Sequence, residues 1–426
     1  MWCAGRGLTV RPVSRRAVLG AGAGAALATL TGCAQQGPAS PGTGPQAGAP
    51  TSTAAAPATG AGPTPGAVSP TAPTGLPRLI GDGSTSDTGV QPRQPTVSRL
   101  VPGQAPPQFV ICSWDGAGET ASRLFSHFRG VAEELSASMT FFLTGLYAVP
   151  AARRSVYQPP RHAVGASDIG FLPERSVHAT IDQVGRAWLE GHEIGTHFNG
   201  HFCGPGGVDL WSPEEWDTEI EQAVSFVKTW RTTTGFTDLP PLPFDYDAEL
   251  IGGRTPCLQG QANLLRAGGA TTWRYDSSGT GRQVWPTRFP GGRWNLPMQA
   301  IPFPGHDFEV ISMDYNMMYN QSKTPDGDPA ARGVWRGQAR DAYLAGFRRA
   351  YHGNRAPLVI GNHFERWNGG IYMEAVEAAI REMAAHPDVR FVSFHQLVDW
   401  LEAQDPSVLR RLQSLDVGRP PRGGWA

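Results

Sequence analysis

The sequence predicts an α/β fold in which helices wrap a mainly parallel sheet. Apolar runs of about four to eight residues, the length of buried strands, alternate with amphipathic stretches of helical period. About 320 residues follow an N-terminal region rich in proline and glycine, which is enough for one large domain with a substantial core. Such alternation is typical of a parallel sheet covered by helices, which can also close into a barrel.

The strand and helix candidates follow one another in a regular order. The predicted strands are 108–113, 138–144, 193–195, 272–275, 310–313, 358–360 and 390–394. The predicted helices are 119–135, 181–189, 213–230, 337–351, 372–385 and 396–401. The third helix has an N-cap candidate in Ser212 and a proline at its first position, Pro213. On this architecture, functional residues gather at the carboxyl ends of the strands.

The N-terminus has the features of an export signal. Arg15 and Arg16 form a twin arginine, an apolar run covers 20–30, and Leu30-Thr31-Gly32-Cys33 has the pattern of a lipobox. The apolar run is shorter than the roughly 18 residues that a transmembrane helix needs. We therefore predict a signal peptide over 1–33 and a lipid on Cys33. The alternative is an ordinary secretory peptide with a chance cysteine.

A tether is predicted to follow the signal. Every residue from 37 to 74 is Gly, Pro, Ala, Ser or Thr, apart from Gln46 and Val68. Such a composition buries too little apolar surface to offset the entropy of ordering. We predict a disordered linker over 34–105, spanning on the order of 45 Å, then a domain over 106–405 and a tail over 406–426. The protein would be anchored to the outer face of the cytoplasmic membrane.

The charge balance limits the possible partners. The chain has 36 basic and 37 acidic residues and no basic run, which argues against nucleic acid. We expect a monomer that meets the membrane only through the lipid on Cys33. Of the cysteines beyond the signal, Cys112 lies in an apolar strand and is predicted to be a small buried side chain. Cys203 and Cys257 either pair after export or stay as thiols, and the sequence leaves both open.

Four residues at strand ends suggest metal-assisted hydrolysis: Asp115, His197, His201 and His363. Aspartate and histidine are suitable zinc ligands, and three protein ligands with an open fourth position are typical of catalytic zinc. His197 and His201 are four residues apart, so they share a face of a helical turn. His363, taken alone, is as readily a structural hydrogen-bonding residue. Three other strand-edge carboxylates, each more typical of a structural role, are Asp168, Asp276 and Asp314.

Five segments, in order, resemble motifs of the NodB-type polysaccharide deacetylases, the carbohydrate esterase family that includes chitin and peptidoglycan deacetylases. They are 109–116 (FVICSWDG), 139–145 (MTFFLTG), 192–201 (HEIGTHFNGH), 253–256 (GRTP) and 362–363 (NH). The resemblance covers roughly 107–401. The stretches 254–278 and 354–358 are similar to the chitin-deacetylase-like branch.

This resemblance implies a distorted (β/α) barrel and a carbohydrate deacetylase, an amide hydrolase that removes N-acetyl groups from a wall or extracellular polysaccharide. The implied cofactor is a divalent metal, zinc with cobalt as an alternative, held by Asp115, His197 and His201. His363 maps to the acid that protonates the leaving amine. Arg254 maps to the arginine that orients the base, and Asp314 is a partner that would raise the pKa of His363.

The first motif departs from the family pattern. Where the family has two adjacent aspartates, this chain has Trp114-Asp115. Aligned in this way, the ligand is kept and the base is replaced by an indole. General-base assistance is worth about 10²- to 10⁴-fold. A metal-bound hydroxide or Glu119 could compensate. The alternative is a catalytically impaired homologue that binds glycan or metal.

Overall fold

The computed structural model describes residues 77–101 and 103–425. The predicted signal peptide, the predicted lipid attachment at Cys33 and residues 34–76 of the predicted linker lie outside these ranges. Across the described ranges, none of the helices combines the length and the apolar character needed to cross a membrane.

The elements alternate much as the sequence predicts. The strands are β1 (Arg78–Ile80), β2 (Thr85–Asp87), β3 (Gln108–Asp115), β4 (Thr140–Leu143), β5 (Glu193–Thr196), β6 (Tyr275–Asp276), β7 (Thr280–Gly281), β8 (Thr287–Arg288), β9 (Trp294–Asn295), β10 (Met298–Pro302), β11 (Glu309–Ile311), β12 (Leu358–His363) and β13 (Val389–Phe391). The helices are α1 (Leu124–Glu134), α2 (Glu174–Leu189), α3 (Pro213–Lys228), α4 (Trp230–Thr234), α5 (Tyr246–Glu249), α6 (Gln261–Leu264), α7 (Asp314–Gln321), α8 (Arg332–Tyr351), α9 (Ile371–Ala384), α10 (Phe394–Ala403) and α11 (Pro406–Gln413).

A parallel sheet carries the site. Its strands run in the order β12-β3-β4-β5, and β13 also pairs with β3. His363 lies opposite Asp115 in this register, and Leu143 lies opposite Thr196. The carboxyl ends of these strands therefore meet at one edge, and the predicted parallel α/β sheet is confirmed. The strand pairs within the described residues form open paths, so closure into a barrel stays a prediction.

The apolar runs within the central strands are explained by burial on both faces. Every residue of β3, β4, β5 and β12 is buried, and helices α8 and α9 pack together beside this sheet. Parallel strands covered by helices on both sides require such continuous apolar runs. The predicted N-cap is also present, since Ser212 Oγ accepts from the Glu215 N–H and Glu215 accepts from the Ser212 N–H.

The folded part extends beyond both predicted boundaries. The hairpin β1-β2 lies within the predicted linker, and its Ser86 N–H donates to the Leu242 carbonyl at 2.8 Å. At the other end, α11 and Trp425 lie in the predicted tail, and Trp425 Nε1 donates to the Gly353 carbonyl at 3.1 Å. Both segments are held by bonds to distant residues, which local composition does not indicate.

Helix α2 and the minor strands also differ from the prediction. Helix α2 begins at Glu174, directly after Pro173, rather than at 181. The three-stranded sheets β6-β9-β8 and β7-β10-β11 include strands of two residues, which are too short to show a period of alternation. Their formation depends on the neighbours that the chain brings to them.

Candidate functional site

Asp115, His197, His201 and His363 line one small pocket of about 50 Å³ at the carboxyl edge of the sheet. Asp115 ends β3, His363 ends β12, and the two other histidines follow β5. The other lining residues are Gly116, Gly118, Thr120, Tyr147, Ile169, Phe364 and Glu365. The four side chains that the sequence singles out are thus brought together, although up to 248 positions separate them in the chain (363 − 115).

His197 has a defined tautomer with one unused nitrogen. Its Nδ1 lies 2.8 Å from the Arg254 carbonyl oxygen, which only accepts, so Nδ1 carries the proton and donates it. Nε2 is buried and has no hydrogen-bond partner among the described residues. Burial lowers the pKa of His197 to about 4, so the ring is neutral. A neutral imidazole whose other nitrogen binds a carbonyl is the usual form of a metal-binding histidine.

His201 completes the pair of imidazoles. The ring centroids of His197 and His201 are 5.1 Å apart, and burial lowers the pKa of His201 to about 3. His201 Nδ1 lies 3.7 Å from the Cys203 sulfur. Both rings are therefore neutral near pH 7, as metal ligands must be.

Asp115 is a buried carboxylate paired with a buried arginine. Its Oδ1 accepts from Arg254 Nη1 at 2.6 Å; the Arg254 side chain is fully buried and that of Asp115 is 2% exposed. Burial alone would raise the pKa of Asp115, but Arg254, followed by His197 and His363, outweighs it and holds the pKa below its ordinary value. Asp115 is therefore ionised. Arg254, which the resemblance assigns to the base aspartate, contacts this residue.

A serine network holds Arg254 in place. Its Nη1 donates to Ser113 Oγ at 2.9 Å, and its Nη2 donates to Ser277 Oγ at 2.8 Å. Sequence reasoning missed both serines. Strand alternation could have predicted the position of Ser113, because residues two apart on a strand face the same side and Asp115 faces the site. Ser277 carries no such signal, since its partner is 23 positions away in a loop.

His363 is bonded to Asp314 as predicted. The Asp314 carboxylate accepts from the His363 backbone N–H at 2.8 Å and lies 2.8 Å from its Nδ1. Burial would lower the pKa of His363, but the charge and hydrogen bond of Asp314 outweigh it and raise the pKa above its ordinary 6.5. A protonated imidazole that is held by a carboxylate can donate a proton to a leaving group.

We predict a pH-dependent contribution of this pair to stability. Because the folded pKa is raised, the stabilisation is complete below about pH 6.5 and is lost as the pH rises through the folded pKa. A tenfold difference in proton affinity between the folded and unfolded chain corresponds to about 1.4 kcal/mol. Unfolding by urea from pH 5.5 to 9 should therefore show the wild type losing this advantage over Asp314→Asn. A constant difference between the two across that range would contradict the pairing.

Trp114 lies outside the pocket. This corrects the alignment of the first motif, which placed Trp114 at the position of the catalytic base. Its indole is fully buried, packs 4.2 Å from the Phe128 ring and 4.6 Å from the Phe364 ring, and has Nε1 3.2 Å from the Met139 sulfur. Successive side chains of a strand point to opposite faces. Since Asp115 faces the site, an aspartate at position 114 would enter the apolar core and could not act as the base.

Two of the other suggested carboxylates, Glu119 and Asp276, have structural partners. Glu119 accepts from the backbone N–H and the hydroxyl of Ser126 in the first turn of α1, and it does not line the pocket. Asp276 is buried and accepts from Gln261 and Ser278. The Asp168 backbone N–H donates to the Gly200 carbonyl. Glu365, which the sequence reasoning missed, is the carboxylate besides Asp115 that lines the pocket.

A disulfide lies beside the pocket. Cys203 and Cys257 are bonded, with their Cα atoms 6.3 Å apart, which decides between the two alternatives that the sequence left open. Within the described ranges, the one group of three metal-binding side chains whose donor atoms all lie within 4.8 Å is His201, Cys203 and Cys257. Because the two sulfurs are bonded to each other, this group is not a ligand set. Asp115, His197 and His201 share the pocket but form no such tight cluster.

These features define a candidate hydrolytic site: one pocket holds an ionised aspartate, two neutral imidazoles and a third histidine, which a second aspartate holds from outside the pocket. Neither a protein-family profile nor a curated protein matches the sequence. Among solved structures, the chain has a partial likeness to a protein from Mycobacterium smegmatis described as a candidate polysaccharide deacetylase. The TM-score is 0.45 at 14% identity, covering 76% of this chain and 99% of that one.

Two further likenesses are weaker. Puue allantoinase gives a TM-score of 0.42 at 12% identity, covering 72% of this chain and 94% of that one. A family 4 acetyl xylan esterase from Clostridium thermocellum, in complex with a cobalt ion, gives 0.36 at 14% identity, covering 71% and 96%.

Proposed function

We propose that the chain is a hydrolase that removes N-acetyl groups from an extracellular polysaccharide. The observation that carries this proposal is one pocket in which an ionised Asp115 and His363 lie at the ends of adjacent parallel strands, with His363 held by Asp314 at the start of α7. Amide hydrolysis needs one group that accepts a proton from water and one that gives a proton to the leaving nitrogen. An ionised carboxylate and an imidazole with a raised pKa have these opposite properties.

In this proposal Asp115 is the base. A carboxylate oxygen of Asp115 takes a proton from the attacking water, while Arg254 and Ser113 fix the orientation of the carboxylate. The imidazolium of His363 gives its proton to the amine nitrogen as the carbon–nitrogen bond breaks, releasing acetate and a free amine. The Arg254 contact to Asp115 supports this assignment. The resemblance implies that this arginine orients the base aspartate and not the aspartate that binds the metal.

A divalent cation would be held by His197 and His201, with zinc or cobalt as the metals that such donors suit. The buried, unpartnered Nε2 of His197 supports this part of the proposal. When bound, such a cation supplies charge that polarises the acetyl carbonyl. Whether Asp115 also binds the cation, as the sequence predicts, can be tested with Asp115→Asn. A base-only role predicts lost turnover with metal uptake retained, and a ligand role predicts the loss of both.

The alternative is a homologue that binds metal or glycan without turnover. The position of Gly116 favours it. Gly116 has a φ of +67° and lines the pocket, and a Cβ at this position would lie 3.6 Å from the Thr144 hydroxyl. If Asp115 is the first aspartate of the family pair, Gly116 stands where the second, the ligand, would be. The missing carboxylate would then be the metal ligand, so its absence would weaken metal binding and leave the base in place.

An assay of acetate release tests the proposal. The purified protein, supplied with zinc or cobalt, should deacetylate chitooligosaccharides or peptidoglycan fragments, and His363→Asn should reduce the rate by at least about 10²-fold. Metal bound at unit occupancy without acetate release from either substrate would overturn the proposal of a deacetylase and would support the non-hydrolytic alternative.

We predict that His197→Ala abolishes metal uptake. The change removes the one nitrogen that is buried and unpartnered in the pocket, and the loss should exceed about 10²-fold in Kd for Co²⁺, measured by calorimetry. The matched control is His192→Ala. His192 is also buried and accepts the Met139 N–H, but it lies outside this pocket. Unchanged uptake in His197→Ala, or an equal loss in the control, would refute the ligand assignment.

We also propose that the protein acts outside the cell, tethered through a lipid on Cys33. The twin arginine, apolar run and lipobox support this placement. Metabolic labelling with a radioactive fatty acid should mark the wild type and not Cys33→Ala. Labelling of both, or of neither, would remove the anchor from the proposal.

A further inference from the structure

The loop that connects His197 to His201 has an unusual backbone. Phe198 and His201 have φ values of +58° and +57°, in the left-handed region that side-chain-bearing residues rarely adopt. A backbone of this kind persists only where the surroundings fix it. His201 is itself one of these two residues, so its backbone conformation sets the direction of its imidazole.

Three side chains satisfy the backbone amides of this loop. The Phe198 N–H donates to Thr196 Oγ1, the Asn199 N–H to a carboxylate oxygen of Glu219, and the Gly200 N–H to the Tyr157 hydroxyl, each at 3.0 Å. The Tyr157 hydroxyl in turn donates to the Glu219 carboxylate at 3.0 Å. Successive amides are thus fixed by side chains rather than by a helix or a sheet.

Glu219 binds the loop twice. It lies on α3 and is 1% exposed, and its backbone carbonyl accepts from the Asn199 side-chain amide at 3.0 Å. A buried carboxylate is costly unless hydrogen bonds compensate it. The bonds that compensate Glu219 come from the loop amide of Asn199 and from Tyr157, which itself holds Gly200. The network is therefore directed at the loop rather than at the packing of α3.

Glu249 provides the comparison. It is also a buried carboxylate, but it accepts from Trp188 Nε1 at 2.8 Å and from the Ile194 N–H, so it holds α2 and β5. Loss of either carboxylate should destabilise the fold. Only the loss of Glu219 should change how the two imidazoles are presented.

We propose that Glu219 and Tyr157 are positioning residues, which hold the loop in the strained conformation that directs His197 and His201 into one pocket. This inference rests on the proposed function in that the two imidazoles are taken to bind a divalent cation. Neither residue lines the pocket, and both act through the backbone amides of Asn199 and Gly200.

The test compares Glu219→Gln, Tyr157→Phe and Glu249→Gln in the purified protein loaded with Co²⁺. Measurements at pH 8 lie above the pKa of about 7 that burial gives Glu219. Glutamine keeps the shape of Glu219 but replaces an acceptor with a donor, and phenylalanine removes the acceptor for Gly200. Both variants should weaken Co²⁺ binding by at least about tenfold and change the visible absorption band of the bound ion.

Glu249→Gln should lower Tm about as much as the two loop variants do. It should nevertheless keep the Co²⁺ affinity and the absorption spectrum of the wild type. A wild-type affinity and spectrum in both loop variants, or an equal loss in Glu249→Gln, would overturn the inference. If the wild type binds no Co²⁺, the proposed function fails separately. The imidazole ¹⁵N shifts of His197 and His201 then decide the inference: a change in the loop variants alone supports it, and unchanged shifts refute it.

Discussion

Replacing Trp114 by aspartate should destabilise the fold by more than about 4 kcal/mol and should not restore a catalytic base. Removing a buried tryptophan costs about 3–5 kcal/mol, and the new carboxylate would enter the apolar contacts of Phe128 and Phe364 without a partner. Urea unfolding measures the loss. Trp114→Phe, which keeps an aromatic ring, should lose much less. A stable Trp114→Asp with faster acetate release would show that position 114 does face the site.

Gly116→Asp is the complementary variant. The glycine lines the pocket, a Cβ there meets only ordinary contacts, and aspartate tolerates a positive φ better than most residues. Here the added carboxylate should tighten Co²⁺ binding by at least about tenfold, since an opposite charge at the site favours the cation. The two variants together decide whether the side chain at position 114 or the one at position 116 faces the pocket.

Removal of the Cys203–Cys257 bond should lower the free energy of unfolding by about 4 kcal/mol. The bond closes a loop with a sequence separation of 54, and a cross-link of this span restricts the unfolded chain by about that amount. The double variant Cys203→Ser, Cys257→Ser, compared by urea unfolding with the wild type, measures the effect.

The disulfide also joins two parts of the site, because Cys203 follows His201 by two residues and Cys257 follows Arg254 by three. The double variant should therefore bind Co²⁺ more weakly. Cys112, the free buried cysteine of the described part, provides the control. A reductant should lower the free energy of unfolding and the Co²⁺ affinity of Cys112→Ala by the same amounts as it does in the wild type. A double variant as stable as the wild type would show that packing alone holds these loops.

Much of the sheet could be predicted because its signal is local. Strands such as β3 and β12 each contain a continuous apolar run, and burial on both faces favours this composition. The start of α2 at Glu174 and the hairpin β1-β2 could not be predicted in this way. The hairpin is held by Ser86 and by the Trp230 Nε1 bond to the Ser84 carbonyl, partners that lie about 150 positions away.

Residue type and position along the chain indicate which side chains are candidates for the site. Asp115, His197, His201 and His363 follow strand patterns, and the carboxyl ends of parallel strands must meet at one edge. The contacts of each residue became known from the folded chain. It paired Arg254 with Asp115, turned Trp114 into the core and joined Cys203 to Cys257. The physical reason is that residue type and periodicity report local burial, whereas a charge or hydrogen-bond partner depends on how distant segments pack.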